Sequence, residues 1–214
     1  MGPLGDQDDY LHPPGPVASW RESFFFGFYD QAGRVCLSYL SVAPRPGMVE
    51  RILILQTPGV GSTLFCRHRD PLQHFRDTAL AEGALQVHCR VPLQSWQIRA
   101  EAPCLPVPPG QEISSVLAST REKPLERIPV AFDLHFEALM PAYRFPAGTW
   151  DFLGPGQEHF EQAGSITGWM RIGDEETPCS GLCGRDRSWG PRDWLGYQWY
   201  HWINLPLCND LIIS

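Results

Sequence analysis

The sequence predicts an all-β protein whose antiparallel strands close into a barrel, and three observations carry that expectation. Short runs rich in aromatic and β-branched residues recur along the 214-residue chain, turn formers separate them, and several runs alternate apolar and polar side chains. No repeat of fixed period suggests a propeller or a solenoid. Many antiparallel strands leave exposed edges unless the sheet curls onto itself, which favours a barrel.

Residues 23–30 (SFFFGFYD), 34–42 (RVCLSYLSV), 49–57 (VERILILQT) and 62–66 read as a meander, with turns at Gln31-Ala32-Gly33 and Pro44-Arg45-Pro46-Gly47. Residues 71–82 (PLQHFRDTALAE) space Leu72, Phe75 and Leu80 as on a helix and stop at Gly83, which predicts one short helix. Residues 84–91 alternate Leu85, Val87, Cys89 and Val91 against Gln86, His88 and Arg90. Residues 95–101 set Trp96, Ile98 and Ala100 against Ser95, Gln97, Arg99 and Glu101, so both runs predict half-buried strands. Residues 102–126 contain five Pro and read as an irregular excursion, as do residues 141–156. Strands resume with residues 129–139, 159–172, 177–186, 195–204 and 210–214.

Composition excludes several function classes. A formal net charge of -7 and a pI near 5.4, without a Lys/Arg-rich run, argue against a nucleic-acid partner. The seven Cys are odd in number and scattered, and several sit in apolar runs, as reduced core thiols do. The acidic, Pro/Gly-rich residues 1–20 read as a flexible arm and lack the pattern of a signal peptide. No apolar run approaches membrane-spanning length, so a cytoplasmic protein without an integral membrane segment is expected.

Most local motifs have a plain structural reading. Asp133, His135 and Glu137 share one face of a strand and could meet one ion, but the wet face of a half-buried strand shows the same alternation. Cys179-x3-Cys183 is looser than zinc pairs usually are, and no metal or other cofactor is expected. Residues 57–63 (TPGVGST) lack the Lys of a phosphate loop, and no G-x-S-x-G elbow is present.

Residues 181–194, GLCGRDRSWGPRDW, stand apart. Three Arg, two Asp and two Trp fall within fourteen positions, a density that is costly to bury unless each charge is paired. Residues 196–204 (GYQWYHWIN) follow, placing Tyr197, Trp199 and His201 on one face of a strand and Gln198, Tyr200 and Trp202 on the other. Two readings compete. In one, Arg185, Asp186, Arg187, Arg192 and Asp193 pair across the end of a barrel and a Trp plugs it. In the other, Asp186 is an acid in an apolar cavity, with Arg185 and Arg187 setting its protonation. It could then protonate an alkene, and the faces of Trp189, Trp199 or Trp202 would stabilise the cation.

The same residues carry a family resemblance. GLCGRDRSWGPRDW followed by YQWYHWI resembles the hallmark of uncharacterised bacterial proteins allied to the carotenoid 1,2-hydratase (hydroxyneurosporene synthase) and AttH-like superfamily. ESFFFGFYDQAGRVCLSYLSVAPRPG, RIPVAFDLHFEALMPAY and HFEQAGSITGWMRIGDEE are similar to other strands of that group. The resemblance implies two calycin or lipocalin-like barrels, here residues 21–156 and the start of a second over residues 157–214, left incomplete because the chain ends in an apolar strand at Ser214. It implies a small hydrophobic ligand, isoprenoid or lipid-like, with Trp189, Trp194, Trp199, Tyr200, His201 and Trp202 as ligand-binding candidates. If the chain is an enzyme, it implies a cofactor-independent hydratase or isomerase. The hydratase motif reads roughly Y-x-D-x-N-W-G: Asp186, Trp189 and Gly190 match, whereas Gly184 stands for the Tyr and Ser188 for the Asn. Arg187 stands where close relatives often carry His. An incomplete second barrel would expose a sheet edge suited to self-association, and a non-catalytic binding protein or a truncated inactive relative is the alternative.

Overall fold

The computed structural model describes residues 3–58, 60–119, 125–149, 151, 155–192, 205–208 and 211–213. The meander forms as the sequence predicts: β1 (Trp20–Asp30), β2 (Val35–Ala43), β3 (Met48–Gln56) and β4 (Thr63–Pro71) pair in succession. Then follow β5 (Leu85–Val91), β6 (Ser95–Val107), α1 (Ile113–Ser119), β7 (Ile128–Ala138) and the short β8 (Tyr143–Arg144). Two long strands, β9 (Glu158–Ile172) and β10 (Glu175–Pro191), precede a separate hairpin of β11 (Leu205–Cys208) and β12 (Leu211–Ile213).

Hydrogen bonding closes the main sheet. Its order is β10-β1-β2-β3-β4-β6-β7-β9, and β9 also pairs with β10, so these strands form an uninterrupted antiparallel ring. β5 adds to β6, and β8 to β9. The sheet continues past residue 156. β9 and β10 lie beyond that point, yet they bond to β7 and β1 and are what completes the ring.

Period-two alternation decides what lies inside. Phe24, Phe26 and Phe28 of β1, Trp96 and Ile98 of β6, and Phe132, Leu134 and Phe136 of β7 are buried in one core with Leu40, Leu55 and Leu64. Asp133 and His135 face outward, where Asp133 accepts from Gln97 at 2.6 Å and from Arg99 at 2.8 Å, the wet strand face that alternation suggests. Cys36, Cys66, Cys89, Cys104, Cys179 and Cys183 are free thiols. Among the described residues no helix is long and apolar enough to cross a membrane.

Two expectations change. The helix predicted for residues 71–82 is a 3-10 turn at Asp77–Ala81, because Pro71 still belongs to β4 and the remaining window is too short to repay helix nucleation. The Ala79 carbonyl accepts the Arg51 guanidinium, and Leu80 packs into the core. The excursion predicted from residue 102 onward begins later, because β6 runs to Val107. Val116 of α1 then packs on Phe65, Leu105 and Val107 in a small second core.

Gly164 on β9 shows how tightly the barrel is filled. A Cβ there would lie 2.3 Å from Phe136 Cε2 and 2.4 Å from the Glu137 carbonyl oxygen. Gly164→Ala is expected to cost about 1–3 kcal/mol, read as a lower melting temperature, since a packed core has no room for the extra methyl. An unchanged melt would mean that Phe136 swings aside freely.

Candidate functional site

The Arg/Asp/Trp segment lies on β10, between β1 and β9, and strand alternation splits it. Arg185, Arg187 and Trp189 point into the barrel, whereas Asp186 and Ser188 point to the outer face. Charges adjacent in sequence therefore belong to two separate environments.

The inner set is a clasp in which both guanidinium groups face a carboxylate, although Arg187 Nε is buried without a hydrogen-bond partner. Arg185 Nη1 and Nη2 donate to the two carboxylate oxygens of Asp9 at 2.8 and 3.1 Å, and its Nε donates to Gln162 Oε1 at 2.8 Å. The guanidinium also lies 5.2–5.6 Å from the ring centroids of Phe160, Trp96 and Phe136. Arg187 donates to Glu22 Oε2 at 2.9 Å and to the carbonyls of Ser23 and Tyr10, and sits 3.8 Å over the Phe24 ring. Burial lowers the pKa of Arg187 and Glu22 opposes that shift. Trp189 is buried beside them and stacks on His12 at a centroid distance of 4.0 Å, while His12 in turn bonds Glu22.

The N-terminal segment, read from the sequence as a loose arm, supplies half of this clasp. A 3-10 turn at Asp6–Asp9 brings Asp9, which is 0% exposed, under Arg185. Asp9 also accepts the backbone N–H of Leu93 at 2.5 Å, and His12 contacts Asp8 at 3.6 Å. Two contacts, Arg185–Asp9 and His12–Glu22, thus tie residues 9–12 to the end of the barrel.

The outer set is different in kind. Asp186 is 3% exposed, and its Oδ2 is buried without any hydrogen-bond partner. Across the ladders it faces Phe25 on β1 and Glu161 on β9, and Ser188 faces Ser23 and His159. Ser23 and Ser188 share a 2.8 Å hydrogen bond, and Arg192 donates to both hydroxyls. His159 Nε2 lies 3.2 Å from Glu161 Oε1. Burial pushes the Asp186 carboxyl up to about 7; His159 pulls it down, Glu161 pushes it further up, and Arg192 and Arg187 pull it down. Gly190, at φ +122°, carries the chain from this row toward Arg192; a side chain there would meet Gln157 Cα at 3.0 Å.

The same outer face continues into a groove. Along β10, Leu182 and Ser180 follow Asp186 on its side of the sheet, with Tyr29 on β1, Gln31 in the turn after it, and Ser165 and Thr167 on β9. These residues line a cavity of about 510 Å3. Its size lies within the usual range for small-molecule sites, and its walls mix hydroxyls with apolar surface.

Of the residues singled out from the sequence, the structure brings neither Arg185, Arg187 nor Trp189 onto the face that Asp186 occupies. Trp194, Trp199, Tyr200, His201 and Trp202 lie outside the described residues. The sequence reading missed Asp9, Glu22 and Gln162 as partners of the two Arg, and His159 and Glu161 beside Asp186. A signal for the last two existed: His159 and Glu161 flank the apolar Phe160 at strand spacing, so they share a face.

Comparison with known proteins agrees on the fold. A crystal structure of a provisionally assigned AttH from Nitrosomonas europaea superposes with a TM-score of 0.51 at 12% identity, over 86% of this chain. The chain spans 59% of that protein's length. A crystal structure of CghA with Sch210972 gives a TM-score of 0.45 at 14% identity, over 89% of this chain and 55% of that one. No curated protein sequence matches. A family model described as a domain of unknown function, DUF7064, matches residues 5–214, Asp9, Glu22 and the whole Arg/Asp/Trp segment included, and the chain belongs to that family.

Proposed function

We propose that the protein holds a small hydrophobic molecule, isoprenoid or lipid-like, against the outer face of β1, β10 and β9, with Asp186 as the acid that protonates an alkene. The observation that carries this reading is the buried, unpartnered Oδ2 of Asp186. A carboxyl oxygen that gives up water without gaining a hydrogen bond is unfavourable for folding, and such cost is typical of groups kept for chemistry. It retains its proton to about pH 7, as a general acid must. Hydration, isomerisation or cyclisation would follow, and none needs a cofactor. Relation to the hydratase superfamily is part of the same proposal, supported by the resemblance of the Asp186 segment and by the shared fold.

The groove beside Leu182 and Tyr29 is the natural place for the apolar body of the ligand. Turnover of a polyene and isoprenoid panel, followed by mass spectrometry, tests the reading. Asp186→Asn should lower turnover by roughly 10²–10⁴-fold while binding persists, and unchanged turnover would rule Asp186 out as the acid. Leu182→Trp, which fills the groove, should abolish ligand retention; retention unchanged would place the ligand elsewhere.

A second reading has its own support. Arg185, Arg187 and Trp189 are committed to closing the barrel, so most of the segment is accounted for without chemistry. In that case the protein is a non-catalytic lipid or isoprenoid carrier, and the wild type binds members of the panel without converting them.

A further inference from the structure

We propose that Cys66 and Cys104 are a convertible dithiol–disulfide pair that staples the narrowest seam of the barrel. The β4–β6 ladder joins only Thr63, Leu64 and Phe65 to Val107, Pro106 and Leu105. Every other ladder of the ring joins eight to fifteen residue pairs. One step past Phe65 and Leu105, the next facing residues are Cys66 and Cys104.

The geometry suits a bond. Directly opposed residues of an antiparallel pair have Cα atoms about 4.5–5.5 Å apart, inside the span of about 4.4–6.8 Å that a disulfide bridges. Both side chains point into the same core.

Their reactivities are divided. The neighbouring Cys104 thiol lowers the pKa of Cys66, burial opposes this, and Arg127 lowers it further. Cys66 and burial hold Cys104 in its thiol form. Both thiols are buried, so attack needs a local opening, and a three-pair ladder is where the ring opens at least cost. With a low-molecular-weight disulfide as oxidant, the Cys66 thiolate attacks one of its sulfurs and releases one thiolate. Cys104, losing its proton, then displaces the second thiol from the mixed disulfide. The net change is two protein thiols and one small disulfide converted to one protein disulfide and two small thiols.

The closed loop would span the end of β4, all of β5 and most of β6. Oxidised glutathione applied to the native full chain is expected to lower the intact mass by two hydrogens. Peptide mapping should find residues 66 and 104 joined, and the melting temperature should rise by roughly 5–15 °C. Dithiothreitol should reverse all three. A stable glutathione adduct, a bridge among Cys36, Cys179 and Cys183, or no reaction unless the protein is denatured would each overturn the proposal. Cys66→Ala and Cys104→Ala should each abolish the bridge. Because the mapping is done on the wild type, instability of either variant leaves the proposal testable.

Discussion

Asp9→Ala is expected to destabilise the protein by about 3–5 kcal/mol, the cost of leaving a buried guanidinium without its carboxylate. Asp9 neutralises Arg185 through two hydrogen bonds, accepts the Leu93 N–H, and lies 3.4 Å from Trp96 Nε1. Alanine strands those donors in a site walled by Trp96, Phe136 and Phe160, where water cannot replace the lost oxygen atoms. For a domain of this size the loss corresponds to a drop in melting temperature of roughly 10 °C. Arg185→Met in the same background should recover much of the stability, because an apolar side chain of similar length removes the orphaned charge. A urea-denaturation cycle over the four proteins measures the coupling directly. A loss below about 1 kcal/mol for Asp9→Ala would mean that residues 6–12 do not seat in the barrel in solution.

Asp186→Asn is expected to have the opposite effect at neutral and alkaline pH. Burial keeps the proton on Asp186 in the folded chain up to about pH 7, whereas an unfolded chain releases it near 3.8. Between those values the native state binds more protons than the unfolded state, so this group makes stability fall as pH rises. The full loss, reached above pH 7, is about 4 kcal/mol, at ~1.4 kcal/mol per tenfold change in proton affinity. Asparagine carries no charge and removes this slope, while its unpaired amide costs about 1–3 kcal/mol. The variant should therefore be more stable than wild type at pH 8 by about 1–3 kcal/mol and less stable below pH 4. Taking the difference between the two proteins in urea titrations cancels Asp9, Glu22 and the other carboxylates. A variant that loses stability at pH 8 would show that Asp186 is paired in solution and belongs to the clasp.

The two substitutions separate what neighbouring positions in one motif do. Arg185 and Arg187 are held by Asp9 and Glu22 on the inner face, and their loss is a stability event. Asp186 forms no such pair and confers no comparable gain, which is the usual signature of a residue retained for another purpose. The outer row of Ser23, Ser188, His159 and Glu161 surrounds it with groups able to carry or hold a proton.

Alternation was legible residue by residue: Trp96 and Ile98 of β6 were assigned to one side and lie in the core, and Asp133 and His135 of β7 were assigned to a face that is the outer one. The helix at residues 71–82 was not, since three apolar residues at helical spacing fit a 3-10 turn equally well once Pro71 is taken by β4. The partners of the two Arg were also illegible. Asp9 lies 176 positions from Arg185 and Glu22 lies 165 from Arg187.

By itself the sequence determined the all-β class, the inward and outward faces of the strands, and the segment that carries the unusual charges. Those follow from local chemistry: β-branched and aromatic propensity, period-two alternation, and the cost of packing charge beside indole. Only the tertiary structure decided that β9 and β10 close the ring, that the acidic N-terminal turn supplies a buried counter-charge, and that Asp186 is turned away from the Arg residues beside it. Ring closure and ion pairing depend on contacts between positions far apart in the chain. A strand's alternation says that neighbours face opposite ways, but not which of them finds a partner waiting.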